Sequence, residues 1–176
     1  MTNSNDSPDN TKHIGRWMIY GMWILLLGLL SLFFNNVLDQ QYNPNQHHAG
    51  RVTADGIREI TLQRNHYGHY VTSGTINGHE VVFLLDTGAT DVSVPAKLAD
   101  RIGLKRGAEI IYQTANGPAP SWLTKLDTVS IGNVEVENIR ASINPNFDGD
   151  EVLLGMSVLK KLEFTQRGDT LTIRQY

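Results

Sequence analysis

The residues best suited to chemistry in this chain are Asp86, Thr87 and Gly88. An apolar run, Phe83-Leu84-Leu85, leads straight into the Asp86 carboxyl, and a small, permissive Thr-Gly follows. An ionised carboxylate at the end of a buried strand is costly unless it is hydrogen-bonded or shares a proton with a neighbour. Gly88 permits a sharp turn and the close approach of another backbone or of a ligand. The tripeptide alone also fits an ordinary Asx-turn, in which Asp86 merely accepts turn hydrogen bonds. Other chemistries have little to draw on. The chain has no cysteine, which excludes a thiol nucleophile, a Cys-ligated zinc site and a disulfide framework. His47-His48 sits in a polar stretch, and His66 and His69, three apart in a strand-like region, fall on opposite faces. No metal site and no cofactor are expected. A net charge of −3 gives no electrostatic footprint for nucleic acid.

The elements that must position Asp86 are β-strands. Val81–Leu85 is apolar on both parities, which predicts a strand buried on both faces. Val92-Ser93-Val94 resumes a strand directly after the turn. Asn77-Gly78 is a strong hairpin signal, because both residues tolerate positive φ. Further tips are expected at Asn116-Gly117, Gly132-Asn133 and Gly168-Asp169. That last turn makes Arg167-Gly168-Asp169 a turn rather than an adhesion motif. The hairpin around Asn116-Gly117, from Glu109 to Leu123, is small and polar enough at its tip to act as a movable cover. Val152-Leu153-Leu154-Gly155 is an apolar element followed by a short helix, Ser157 to about Leu162. A second short helix begins with Pro95 in its first turn and stops near Gly103. Leu171–Tyr176 alternates and is expected as an edge strand, either free and blunted by Arg174 or paired with a second copy. Short strands with a turn every 8–12 residues predict a compact all-β barrel or sandwich.

Taken together, Leu85-Asp86-Thr87-Gly88-Ala89-Thr90, Ala115-Asn116-Gly117 and Leu153-Leu154-Gly155-Met156 resemble the retropepsin-like aspartic proteases, most nearly their single-domain, membrane-anchored bacterial branch. The resemblance runs from about Tyr67 to the C-terminus. It implies a closed, barrel-like all-β domain with one or two short helices that works as a homodimer on extended polypeptide. It also implies that Asp86 is the catalytic carboxylate and that Thr87 and Gly88 complete the active-site turn. Ala89 and the flap residues Thr114, Ala115, Asn116 and Gly117 would meet substrate. Counting carboxylates supports the dimer. The chemistry needs two acids sharing one proton, and no second Asp here is followed by Thr-Gly or Ser-Gly; Asp127-Thr128 continues into Val129. The alternative is a non-catalytic module of the same fold that binds peptide or dimerises, since fold does not decide function. Two departures stand out. Pro118-Ala119-Pro120 stiffens the flap and removes two backbone donors. Asp148 and Asp150 lie just upstream of the Leu-Leu-Gly element.

With 176 residues the chain has room for one domain and an appendage. The appendage is apolar: Trp17–Leu38 carries no charge, shows no polar face, and is about the length that crosses a bilayer as a helix. Trp17, Tyr20 and Trp23 cluster at one end, as at a membrane interface. The run is longer than a signal peptide's apolar region and leaves through Asn35-Asn36 without a small-x-small site, so an uncleaved anchor is expected. Lys12 and Arg16 precede it, which places the N-terminus in the cytoplasm and residues 39–176 outside, in the periplasm of a bacterial inner-membrane protein. The expected organisation is a disordered stretch over 1–16, an anchor over 17–38, a flexible polar tether over 39–56 and the β domain over 57–176.

Overall fold

The computed structural model describes residues 10–47, 50–114, 117–147 and 149–176. The chain divides into two compact units, Met1–Asp39 and Gln40–Tyr176. The first holds most of helix α1 (Asn10–Tyr42), which is longer at both ends than the expected anchor and whose last residues, from Gln40, belong to the second unit. Its stretch from Gly15 to Tyr42 is long and apolar enough to cross a membrane, and its large side chains, Trp17 through Phe34, are exposed.

The second unit is mostly β. Its strands are β1 (Arg51–Val52), β2 (Arg58–Gln63), β3 (Val71–Ile76), β4 (His79–Leu85), β5 (Val92–Pro95), β6 (Glu109–Thr114), β7 (Gly117–Ile131), β8 (Val134–Asn144), β9 (Glu151–Leu154), β10 (Glu163–Arg167) and β11 (Thr170–Gln175). Two short helices interrupt them, α2 (Ala96–Arg101), which Pro95 caps, and α3 (Met156–Leu159). The larger sheet runs β3-β4-β9-β5-β8-β7-β6, and β3 also pairs with β7, at Thr75 with Ser130 and Ile76 with Val129. That pairing closes β3, β4, β9, β5, β8 and β7 into a barrel and leaves β6, paired with β7 alone, as the outer strand of a projecting hairpin. Asn77 (φ 49°) and Gly78 (φ 81°) form the tight β3–β4 turn through the left-handed conformations that the sequence suggests there.

The smaller sheet runs β1-β2-β11-β10. Its inner face, Ile60, Leu62, Leu171 and Ile173, joins the barrel interior in one core with Phe83, Val94, Leu126, Ile143 and Leu154. Here the structure corrects an expectation. The alternation of Leu171–Tyr176 suggests an edge strand, yet β11 lies inside the sheet, with β2 on one side and β10 on the other. The tight turn at Gly168 folds β10 back along β11, so the edge is β10.

Two further differences concern burial. On β4, Val81 and Phe83 are buried while Val82, Leu84 and Leu85 are only half-buried, because a barrel strand turns one face inward and the outer face is covered in part. The stretch over 39–56, expected as a solvated tether, is in part built into the domain. Asn43 and Asn45 are buried. Asn45 spans β2 and β3 with its side chain, donating from Nδ2 to the carbonyls of Gln63 (2.9 Å) and Val71 (2.7 Å) and accepting from the Gln63 N–H (2.7 Å). The Tyr42 hydroxyl donates to Glu151 Oε1 at the start of β9, 2.8 Å away. A side-chain amide carries both a donor and an acceptor, so an asparagine can take the place of a strand residue in the ladder. The His66–His69 region is a loop around Asn65, not a strand.

Candidate active site

Asp86 occupies the first position of the loop that joins β4 to β5, yet these two strands are not neighbours. Strand β9 runs between them, parallel to β4 (Leu85 beside Leu154) and antiparallel to β5 (Leu153 beside Ser93). The loop is stitched to the segment that follows β9. The Asp86 N–H donates to the Leu154 carbonyl (3.2 Å), Met156 N–H to Ala89 O (2.8 Å) and Ser157 N–H to Thr90 O (2.9 Å), while Ser157 Oγ accepts from Val92 N–H (3.1 Å). Gly155 makes this approach possible: a Cβ there would lie 2.3 Å from the Asp91 carbonyl oxygen and 2.7 Å from that of Ala89. The backbone of the loop is thereby fixed on its inner side, while Thr87, Gly88 and Thr90 are exposed.

Asp86 is half-buried, and its Oδ1 accepts the Gly88 N–H at 2.8 Å. A Cβ on Gly88 would come 3.2 Å from that oxygen, so glycine keeps the carboxylate uncrowded. Thr87 and Gly88 are exposed. The carboxylate stands on the rim of a cavity of about 410 Å³ whose lining includes Gly88, Ala89, Ser93, Tyr112, Ser121 and Leu153. Its roof is the body of the β6–β7 hairpin. Pro118 and Pro120 pair with Gln113 and Ile111, and β8 joins β7 only from Trp122 onward. The prolines therefore lie where β7 has a neighbour on one side, the position in a sheet that tolerates a missing N–H.

Asp86, Gly88 and Ala89 thus meet around one cavity, and Asp86 and Thr87 share a second, smaller cleft. Thr114 ends β6 opposite Gly117 in the ladder; among the described residues, the hairpin lines the cavity with Tyr112, Gln113, Ala119 and Ser121. Ala115 and Asn116, the expected tip of the flap, lie outside the described residues.

One part of the site escapes a reading of the sequence. Asp91 is buried and lines the same cavity. Its Oδ2 accepts the Tyr112 hydroxyl at 2.5 Å and lies 3.0 Å from Nε of Arg140. Burial pushes the Tyr112 hydroxyl above its ordinary pKa, and the bond to Asp91 adds to this, so the phenol remains a donor. With Arg140 beside it the Asp91 charge is compensated and the cavity floor is not a free anionic pocket. The available signal was an acid placed directly before the apolar strand Val92-Ser93-Val94.

The fold and this loop agree with what is known of other proteins. Residues 72–161, just over half of the chain, match the model of the gag-polyprotein putative aspartyl proteases. The chain belongs to that family. The crystal structure of a retropepsin-like aspartic protease from Rickettsia conorii is similar to it at 29% identity, with a TM-score of 0.58 over 73% of this chain and 96% of that one. An uncharacterized protein from the cobV 5′ region of Sinorhizobium sp is 35% identical over 133 residues, 71% of this chain and 57% of that protein. An uncharacterized protein of Rickettsia prowazekii (strain Madrid E) is 30% identical over 68% of this chain and 52% of its own length. The chain therefore spans little more than half the length of these two relatives. The retropepsin-like fold of this family member is that of an aspartic protease.

Proposed function

We propose that the chain is a membrane-anchored aspartic endopeptidase that works as a homodimer on extended polypeptide. The observation that carries this reading is the setting of Asp86: a half-buried carboxylate held by Gly88, on the rim of a 410 Å³ cavity, with Thr87 and Gly88 exposed beside it. The cavity supplies one acid from an Asp-Thr-Gly loop, and the reaction requires two that share a proton. The second is Asp86 of another copy, related by a two-fold axis. In the pair, the ionised Asp86 accepts a proton from water, whose oxygen attacks the scissile carbonyl carbon. The protonated one donates to the carbonyl oxygen as it becomes tetrahedral. Either copy can take either part, and the two titrate as a unit.

In this reading Thr87 braces the turn against the partner's Thr87. Ala89 and the hairpin around Thr114, Ala115, Asn116 and Gly117 hold the substrate backbone. Residues 17–38 cross a bacterial inner membrane, the short N-terminal stretch stays in the cytoplasm, and the β domain lies in the periplasm. Confinement to one membrane raises the effective concentration of the two copies, so a weak interface suffices.

The test is cleavage of an unfolded protein by the 176-residue chain in detergent, comparing wild type with Asp86→Asn over a range of protein concentration and pH. The expected outcome is cleavage that rises more than linearly with concentration, falls once both carboxylates ionise, and drops by ~10³-fold or more in the variant. Equal cleavage by the two proteins, or activity climbing steadily into alkaline pH, overturns the reading.

A further inference from the structure

A further cleft, of about 800 Å³, lies over β7 and β8, and its chemistry differs from that of the cavity beside Asp86. Among the described residues four cations line it, Lys105, Arg106, Lys125 and Arg140, against one acid, Asp127. The whole chain has 15 Lys and Arg against 18 Asp and Glu, so a cationic cleft runs against its average. Two of the four are engaged: Arg106 pairs with Asp100 at 2.7 Å and Arg140 with Asp91 at 3.0 Å. Lys105 and Lys125 are exposed and, among the described residues, have no ion-pair partner. Lys125 also stands directly opposite Arg140 in the β7–β8 ladder. Like charges so placed disfavour the pairing of strands, and an anion between them relieves that repulsion.

The wall that carries Lys105 and Arg106 is fixed. Leu104 N–H donates to the Ala99 carbonyl (2.9 Å) at the end of α2, Gly107 N–H to Leu123 O (2.7 Å) and Leu123 N–H to Ala108 O (2.9 Å). A Cβ at Gly107 would lie 2.8 Å from that Leu123 oxygen, so only glycine lets the segment lie this close to β7. The Arg106 guanidinium sits 5.2 Å over the Trp122 ring, a cation–π contact that steadies it.

The cleft continues the catalytic cavity. Side chains two apart on a strand share a face. On β7, Ser121 lines the cavity while Leu123 and Lys125 line the cleft; on β8, Ser142 lines the cavity while Arg140 lines the cleft. The two meet at the Asp91–Arg140 ion pair, whose acid belongs to the cavity and whose base belongs to the cleft. At about 3.4 Å per residue, Lys125 lies roughly 14 Å beyond Ser121 along β7, the span of about four residues of extended polypeptide. A chain that leaves the cavity along this face passes over Lys125.

We propose that the cleft is an exosite for acidic polypeptide, taking Asp and Glu side chains of the substrate that begin about four residues from the scissile bond. This rests on the protease reading of Asp86 and deepens it by naming the class of substrate. Exposed charge pairs contribute little one by one, but a complementary set of them selects the partner and speeds the encounter. Continuity with the cavity favours a polypeptide over a lipid surface as the occupant. In a two-fold dimer each copy brings one such cleft, so an acidic stretch on either side of the bond finds a site.

The test uses the 176-residue chain in neutral detergent, with the double variant Lys105→Glu, Lys125→Glu and the charge-keeping variant Lys105→Arg, Lys125→Arg. The probes are a labelled peptide with a run of four Glu and its counterpart with four Gln. Binding is read by fluorescence anisotropy on an Asp86→Asn background, where cleavage does not enter. The Glu peptide is expected to bind tenfold or more tighter than the Gln peptide, a margin that shrinks as salt rises from about 0.05 to 0.5 M. The Glu variant is expected to lose the margin and the Arg variant to keep it. For cleavage, a peptide spanning a cut mapped in an unfolded protein carries four Glu or four Gln beginning four positions from the bond. The Glu-to-Gln ratio of kcat/KM is expected to fall tenfold or more in the Glu variant, chiefly through KM. No margin in the wild type, a margin that survives in the Glu variant, or one lost equally in the Arg variant overturns the proposal. If cleavage still depends on Asp86, the protease reading then stands without the exosite. Loss of binding to anionic phospholipid vesicles in the Glu variant, with the peptide margin unchanged, also overturns the proposal and makes the cleft a membrane contact. A lysine-dependent margin without Asp86-dependent cleavage has the opposite meaning: the cleft stands as an acidic-peptide site and the protease reading fails.

Discussion

The Tyr112 hydroxyl donates a 2.5 Å hydrogen bond to the buried carboxylate of Asp91, tying the hairpin above the cavity to the loop that carries Asp86. Asp91 is five positions from Asp86 in the same loop, and Tyr112 lies in β6, so the roof and the floor of the cleft share one polar contact. Arg140 from β8 pairs with the same carboxylate oxygen at 3.0 Å. Losing the Tyr112 hydroxyl takes one of two partners from this buried carboxylate and leaves it Arg140, at a cost of about 1–2 kcal/mol for a hydrogen bond to a charged group. Tyr112→Phe is therefore expected to lower stability by that amount, measured by urea denaturation. It is also expected to raise KM more than it lowers kcat, because the reacting atoms keep their own contacts while the roof loses its fixed height. An unchanged KM with a large fall in kcat would place Tyr112 in the chemistry itself.

Gly155 is the point at which the Asp86 loop and the turn into α3 come closest. A methyl group there would fall 2.3 Å from one backbone oxygen and 2.7 Å from another, and neither can swing away as a side chain would. Gly155→Ala is expected to cost about 3 kcal/mol or more, at the upper end of what overpacking does. It is also expected to abolish cleavage at temperatures where the domain remains folded, because the loop can yield only by moving Ala89 and Asp91. Retention of full activity with an unchanged melting temperature would mean that the contact is slack.

What was legible in the sequence was what lies in contiguous residues. Asp86-Thr87-Gly88 after an apolar strand announces an acid at a turn, and Asn77-Gly78 announces a hairpin whose two residues indeed take φ of 49° and 81°. Alternation gives the face of a strand but not its neighbours, so it marks Leu171–Tyr176 as a strand without reporting that β2 and β10 flank it. The Asp91–Tyr112 contact joins residues 21 apart, and no local pattern reports a bond between a strand end and a hairpin. The run of Asn, Gln and His after the helix looks like a solvated linker because its composition is polar. Asn45 is buried there for the same polarity, which lets its amide stand in for backbone.

That role makes Asn45 a sensitive position. Its side chain carries contacts with Gln63 N–H, Gln63 O and Val71 O, and it is buried. Asn45→Ala leaves these buried backbone groups of β2 and β3 without that partner, an expected loss of about 2–4 kcal/mol. Asn45→Asp keeps the acceptor but replaces the donor with a charge facing two carbonyls, and is expected to do at least as much harm. Urea denaturation of both variants decides this; a change below about 0.5 kcal/mol in either, the range of ordinary surface substitutions, would return this stretch to the status of a linker.

The smaller sheet carries its own pH dependence. Glu59 on β2 is buried and lies between Arg51 and Arg174, with its Oε2 2.6 Å from Arg174 Nε. The bond from Arg174 holds its carboxyl below the ordinary value of 4.5, against the desolvation that burial imposes and with Arg51 assisting. A carboxylate whose pKa is lower folded than unfolded stabilises the folded chain fully above the unfolded value. That contribution fades as pH falls through the folded one. The stability difference between wild type and Glu59→Gln is therefore expected to be constant from about pH 6 to 8 and to shrink below about pH 4.5, as protonation makes the wild-type side chain neutral as well. Because Arg174 is the larger cause, Arg174→Met is expected to remove more of the acid slope than Arg51→Met. A difference that stays the same at about pH 3 and pH 7 would show that Glu59 acts through packing rather than charge.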